Sequence, residues 1–286
     1  MKRLLLPFLL LSEVLLSQVY FSMVDDLSFL VISHLESASD VTVVAYSIDP
    51  DYLGLKECSM ATEVPVEGAF VHISDGLLHS KFIVLDHETV IFGSANFNRP
   101  SFEEHLNNLI VFHSREIATF FEKIYDWLVF GKRPQARLET KEGTFFLIPA
   151  VDGERVVLDT LWKAKRYVLL CSYAFTDEDV FATLKFLSSQ GVEVYIITDE
   201  WFESSRLREL PLETFHVLEV KEPLMHHKFL VIDGKILITG SANFTESGFH
   251  RNVEVMFETS NREYVESFEE EFNRIWRGYF VQGVRF

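Results

Sequence analysis

The segment HSKFIVLDHETVIFGSANF, His79 to Phe97, returns almost unchanged as HHKFLVIDGKILITGSANF, His226 to Phe244. An offset of 147 residues superposes His79 on His226, Lys81 on Lys228, Asp86 on Asp233, Gly93 on Gly240, Ser94 on Ser241 and Asn96 on Asn243. A repeat kept only for packing would preserve the apolar pattern and let the polar positions drift. Here the polar positions are the ones preserved, so the chain reads as two copies of one unit that share a chemical task.

The repeat extends beyond these phrases. VYFSMVDDLSFLVISHLESASDVTVVAYSID parallels FLIPAVDGERVVLDTLWKAKRYVLLCSYAFTD. Each begins with a short strand-like run and continues as an amphipathic helical stretch. Each ends in a β-branched or apolar run, closed by Tyr46 or Tyr173. Continuous apolar runs such as VTVVAYSI and YVLLCSYAF suit strands of a sheet covered on both faces. A helix-like tail follows each motif, and alternation of strands and helices indicates α/β sandwich halves. The first half spans residues 18–131, a polar linker with Pro and Gly spans 132–143, and the second half spans 144–286. The halves are expected to pack as a pseudo-dimer around a shared cleft.

Residues 1–17 have no counterpart in the second half. MKRLLLPFLLLSEVLLSQVYF has two basic residues, a short apolar run and a polar stretch, the layout of a secretory signal cut between Ser17 and Gln18. Glu13 interrupts the apolar run, which argues against a membrane-spanning helix. An uncleaved anchor and a packed helix are the alternatives, and export to a periplasmic or extracellular space is the expectation. The net charge of -17 disfavours non-specific binding of polyanions unless basic groups are locally concentrated. Two cysteines, Cys58 and Cys171, make neither a disulfide framework nor a zinc site, and one bridge between them stays open. The 27 phenylalanines imply a large core or apolar binding walls.

Within each motif, His and Lys stand two residues apart at the start of a strand, so they share a face. His227 points to the opposite face and is unmatched in the first half, a packing position. The Asp-Gly pair at 233–234 is a hairpin-turn signal. The returning strand delivers Gly-Ser-Ala-Asn beside the His and Lys. Small residues there permit close approach of a ligand, and hydroxyl and amide groups donate hydrogen bonds. Two imidazoles, two ammonium groups, two serines and two asparagines fit a phosphodiester. The cationic donors surround the phosphorus, one His is the nucleophile, and the other is the acid for the leaving oxygen. A metal fits less well, because each Lys would repel a divalent ion and no carboxylate cluster has ligand spacing.

These doubled H-x-K-x4-D and GSxN phrases resemble the phospholipase D superfamily, and the resemblance covers nearly all of residues 18–286. It implies a covalent phosphohistidine, no cofactor, and one active site between the halves. By that resemblance His79 is the nucleophile and His226 the general acid. Lys81, Lys228, Asn96 and Asn243 bind phosphoryl oxygens, Ser94 and Ser241 support the pocket, and Gly93 and Gly240 are counted with them on the substrate-binding side. Asp86 and Asp233 belong to the motif but close the hairpins, a structural more than an acid–base role. Members of the family often carry a later acidic residue that bonds a catalytic histidine. Glu254 stands 11 residues after Asn243, whereas the same step from Asn96 reaches Asn107. Which histidine Glu254 serves is open at this point.

Phospholipase D-type hydrolysis of phospholipids is the first expectation. Abundant aromatics, apolar ends such as GYFVQGVRF and the lip EWFESS at 200–205 suit peripheral membrane contact. An exported nuclease, a cardiolipin synthase-like phosphatidyltransferase and an inactive module holding a phosphorylated ligand are the alternatives. The internal pseudo-dimer makes a monomer the expected state.

Overall fold

The computed structural model describes residues 18–199 and 215–281. The expected targeting segment, the expected lip at 200–205 and most of GYFVQGVRF lie outside the described residues. In chain order the first half is β1 (Gln18–Phe21), α1 (Leu27–Ser37), β2 (Val41–Ala45), α2 (Pro50–Leu53), β3 (Ser59–Thr62), β4 (Phe70–Val71), β5 (Phe82–Leu85), β6 (Thr89–Gly93), α3 (Arg99–Glu103), β7 (His105–Leu106), β8 (Asn108–His113) and α4 (Arg115–Phe130). There follow β9 (Arg137–Glu139), β10 (Thr144–Ile148), α5 (Gly153–Leu161), β11 (Tyr167–Ser172), α6 (Glu178–Ser189), β12 (Glu193–Thr198), β13 (His216–Glu219), β14 (Leu224–Met225), β15 (Lys228–Ile232), β16 (Ile236–Gly240), α7 (Glu246–His250), β17 (Glu254–Thr259) and α8 (Arg262–Val281).

The two large sheets share one topology. The first runs β1-β8-β6-β5-β2-β3-β4, and the second, taken from its other edge, runs β9-β10-β17-β16-β15-β11-β12-β13. Strand for strand, β10 answers β1, β17 answers β8, and β15–β16 answers the β5–β6 hairpin. The added strand β9 comes from the expected linker, which is therefore not wholly irregular. Arg137–Glu139 pairs antiparallel with β10, and Leu138 is buried there.

The period-two alternation of the strands divides the apolar residues between inner and outer cores. In β5, Phe82 and Val84 enter a core shared by both halves, whereas Ile83 and Leu85 enter a core of the first half alone. The shared core is aromatic. Phe145 stacks on Phe257 with centroids 4.6 Å apart, and Phe112 of the other half meets both edge-on at 5.3 Å. Eleven of the 27 phenylalanines lie in this shared core. Each fully buried ring contributes about 1.5–3 kcal/mol by removal from water.

Both hairpins turn through two residues of positive φ: Asp86 and His87 at 50° and 60°, Asp233 and Gly234 at 55° and 64°. This twist matches the strands they join. The two cysteines are free thiols, with Cys171 buried and Cys58 half-buried, so the bridge left open by the sequence is absent.

Candidate active site

Each motif histidine is held by the main chain of the opposite half. The amides of His79 and Ser80 donate to the Val253 carbonyl at 3.0 and 2.8 Å. The His226 amide donates to the Leu106 carbonyl at 3.0 Å, where β7 and β14 form a small parallel sheet between the halves. Leu106 and Val253 are themselves 147 residues apart, so the crossing obeys the repeat.

The side chains cross in the same way. His79 Nδ1–H donates to Glu254 Oε1 at 2.7 Å, and His226 Nδ1–H donates to Asn107 Oδ1 at 2.8 Å. Asn107 Oδ1 also accepts from Ser94 Oγ at 2.9 Å, and its Nδ2 donates to the Ser101 carbonyl at 2.9 Å. The amide orientation is therefore fixed, and the ring nitrogen facing it carries the proton. Nε2 of both rings has no hydrogen-bond partner among the described residues. Glu254 thus serves His79, the question the sequence left open.

The two imidazoles sit in unequal fields. Burial pushes His79 below the ordinary imidazole value, Glu254 pulls it back up, and Lys81 adds to the depression. Burial and then Lys228 and Lys81 push His226 well below that value, and its Nδ1 partner is an amide and not a carboxylate. Glu254 is completely buried, which would raise its pKa, but His79, Lys81 and the Ser241 hydroxyl together hold it below the usual carboxylate range. A carboxylate orients a ring and stabilises its cationic form, whereas an amide only orients it.

Lys81 and Lys228 are also buried, at 0% and 1% exposure, so neither ammonium is a surface charge. Lys81 Nζ donates to the His79 carbonyl, and Lys228 Nζ donates to the His226 carbonyl at 2.7 Å. Burial brings Lys81 down to about 7, with Glu254 opposing, and pushes Lys228 well below the ordinary lysine value. Tyr46 and Tyr173 cover these groups. Lys81 Nζ lies 5.7 Å from the Tyr46 centroid and Lys228 Nζ 5.3 Å from that of Tyr173. The same rings meet His79 at 5.5 Å and His226 at 5.0 Å. In the sequence these tyrosines read only as strand ends. Their matched place in the repeat was the available signal for a role beside the histidines.

Asn96 and Asn243 are half-buried, and their Oδ1 atoms are buried without a partner. The fold makes no use of either amide among the described residues. Ser94 and Ser241, expected to support the pocket, are latches beneath it. Ser94 Oγ accepts from the Asn108 amide at 3.0 Å and Ser241 Oγ accepts from the Val255 amide at 3.1 Å. They fix the strand that carries Asn107 or Glu254. The expectation that Gly93 and Gly240 make room for a ligand is corrected. A Cβ on Gly93 would lie 2.2 Å from the Asn108 carbonyl oxygen, and one on Gly240 2.2 Å from that of Val255. The glycines let the neighbouring strand approach, and that strand positions the histidine's partner.

Asp86 and Asp233 stand at the far end of the hairpins, roughly 16 Å along the strand from Lys81 and Lys228 at about 3.3 Å per residue, and farther still from the histidines. Asp86 accepts the Ser39 and Asp40 amides at 2.8 Å each. Asp233 accepts those of Lys165, Arg166 and Tyr167 at 2.9, 2.8 and 2.9 Å. Their place among the site residues is withdrawn: they clamp the start of β2 and β11 and touch no reacting group. His227 faces away from the cleft, as its parity requires. It accepts from Asn108 Nδ2 at 3.0 Å and donates to Glu271 at 3.1 Å, a buried polar tie between the halves.

Among the described residues, the carboxylates and imidazole that could converge on a metal ion are Asp152, Glu154 and His250. None belongs to the set around His79 and His226. No helix among the described residues is long and apolar enough to cross a membrane.

Residues 13–129 and 157–276 match the family described as Cardiolipin synthase, PLD-like domain. Over 123 residues the chain is 33% identical to a mitochondrial cardiolipin hydrolase of Xenopus tropicalis, covering 42% of this chain and 59% of that protein. The Homo sapiens protein of the same name is 35% identical over 124 residues, covering 42% and 49%. The chain thus spans between about half and three-fifths of the length of these curated relatives. Phosphatidylserine synthase of Haemophilus influenzae Rd KW20 shares the fold, with a TM-score of 0.67 at 13% identity over 90% of this chain and 86% of that one. Each matched segment carries one H-x-K phrase and one GSAN phrase, together they take in most of the sequence, and the chain belongs to the phospholipase D superfamily.

Proposed function

We propose that the chain is a phosphodiesterase of phospholipase D type, hydrolysing phospholipid head-group esters through a phosphohistidine. The crossed, unequal pairing of His79 with Glu254 and His226 with Asn107 carries this reading. His79 Nε2 attacks phosphorus while its Nδ1–H stays on Glu254, so the positive charge that develops on the ring meets a buried carboxylate. The P–O bond to the head group breaks, and His226 Nε2–H supplies the proton to the departing oxygen. In the empty cleft burial and Lys228 keep His226 neutral. The anionic phosphodiester offsets Lys81 and Lys228 and raises the imidazole toward its protonated form. In the second step His226 takes a proton from water, whose oxygen attacks phosphorus. The P–N bond breaks and the phosphomonoester leaves. Lys81, Lys228 and the uncommitted amides of Asn96 and Asn243 hold the phosphoryl oxygens.

A lipid substrate is supported by the name of the relatives, cardiolipin hydrolase, and by the surface beside His79. Glu63 Oε2 accepts the Leu78 amide at 2.7 Å and His72 Nδ1–H at 3.2 Å. Val64, Ile73 and Leu77, exposed by 41%, 90% and 44%, adjoin these tied residues in the stretch of chain that leads to His79. The net charge of -17 opposes a polyanionic substrate. Export, with membrane association at the N-terminus, accords with the basic and apolar opening of the sequence.

The test offers phosphatidylcholine, phosphatidylglycerol and single-stranded DNA side by side in excess chelator, with labelled substrate trapped by acid quench. Hydrolysis of lipid is expected. His79→Ala should abolish trapping, and His226→Ala should retain it with an activated leaving group. Cleavage of DNA alone would overturn the lipid reading, and activity restored only by a divalent ion would overturn the phosphohistidine.

A further inference from the structure

The pseudo-two-fold relation between the halves is broken a second time, two residues before the Glu254/Asn107 pair. Position 105 is histidine and its counterpart at 252 is asparagine. Asn252 is buried and fully engaged. Its Oδ1 accepts the Leu77 amide at 3.2 Å, and its Nδ2 donates to Glu254 Oε1 at 3.3 Å. It therefore supports the carboxylate that supports His79. On the other side Asn107 is neutral and already saturated by Ser94, Ser101 and His226, so position 105 has no such duty. The main chain of residue 105 is pinned, its carbonyl accepting from Ser22 Oγ at 2.6 Å. The His105 ring is half-buried and makes no side-chain hydrogen bond among the described residues. It lies 6.4 Å, centroid to centroid, from the His226 ring.

The His105 ring, with unused hydrogen-bonding atoms on a pinned main chain, thus lies one ring-width from His226. Resting on the reading above that His226 serves the leaving group, we propose that His105 determines specificity by hydrogen-bonding a hydroxyl or phosphate oxygen on the departing alcohol. The separation suits a group two or three bonds beyond the leaving oxygen, as on glycerol. Burial holds the ring below its ordinary pKa, with Glu104 opposing and Lys228 reinforcing, so at neutral pH it offers one donor and one acceptor.

Glyceryl and butyl phosphodiesters separate this contribution from general chemistry, because only glycerol carries the polar substituent. Each ester is offered on two retained groups, a short-chain phosphatidyl group and a thymidine 3′-phosphate. The ratio of kcat/KM for glyceryl over butyl esters is measured for the unaltered protein, His105→Ala and His105→Asn. His105→Ala is expected to lower the ratio about tenfold, the effect of one lost neutral hydrogen bond, with butyl turnover unchanged. His105→Asn should restore part of the ratio. Equal losses on both esters would show a merely structural role, and an unchanged ratio with neither rate altered would place His105 away from the leaving group. Either result overturns the proposal. The retained group that is cut tests the lipid reading separately: cleavage of the thymidine esters alone sinks that reading while the ratio still tests His105.

Discussion

Glu254→Gln isolates the charge at the centre of the proposed mechanism while leaving its geometry nearly intact. Glutamine has the same length, and its carbonyl oxygen can accept the His79 Nδ1–H that Glu254 accepts at 2.7 Å. The ring should keep its tautomer, so the loss is one of charge. A hydrogen bond to a charged group is worth about 1.5–3 kcal/mol, against about 1 kcal/mol for a neutral one. The interaction strengthens as positive charge develops on His79 during attack. At 1.4 kcal/mol per factor of ten, that difference of about 0.5–2 kcal/mol should lower kcat by roughly 2- to 30-fold. The direction of the pH effect also follows. Glu254 pulls the His79 pKa up against burial, so its removal lets the pKa fall further. The acidic limb of the kcat profile, which reports loss of the neutral nucleophile, should move to lower pH. The assay is a pH–rate profile on one substrate, with the thermal midpoint as a folding control. An unchanged plateau, or a limb that moves to higher pH, would refute the reasoning.

Asn107→Asp should raise the pKa of His226 and move the corresponding limb of the profile upward. It also loses the Nδ2–H bond to the Ser101 carbonyl, so urea unfolding should show about 1–3 kcal/mol less stability. Lys81→Met should abolish turnover yet stabilise the fold, on the order of 1–4 kcal/mol, because a buried cation gives way to an apolar side chain of similar size. With its folded pKa reduced from 10.5 to about 7, Lys81 costs most stability below pH 7 and progressively less toward pH 10.5. The gain in Lys81→Met should shrink over that range, and a constant or growing gain would contradict it. Asp86→Ala removes the acceptor for two backbone amides and should cost about 1–3 kcal/mol, with kcat per folded molecule unchanged.

The sheet-forming runs, the hairpins and the duplication were legible because they depend on local pattern and on comparison of the chain with itself. The inward and outward faces of β5 and β15 follow from alternation alone. The crossing of partners was not legible, because Glu254 and His79 are 175 residues apart and meet only through the docking of two sheets. The same limit hid the work of Gly93 and Gly240, whose closest neighbours are main-chain oxygens of another strand and not a ligand. Asp86 and Asp233 were tied to the histidines by motif spacing, yet an extended strand carries them away from the cleft. Tyr46 and Tyr173 looked like ordinary strand residues. Only the placement of Lys81 and Lys228 beneath them gives their rings a cation to face.

In an assembly of two identical chains, every substitution lands on both sides of the two-fold axis, so the two histidines must keep identical surroundings. Joining the copies through residues 132–143 releases that constraint. Glu254 can remain acidic while its twin is an amide, and His105 can turn to other uses while Asn252 stays bound to the carboxylate. Because each partner reaches across to the other copy's ring, a mutation in one half retunes the histidine of the other. The proposed division of labour between His79 and His226 depends on this freedom of the two halves to differ.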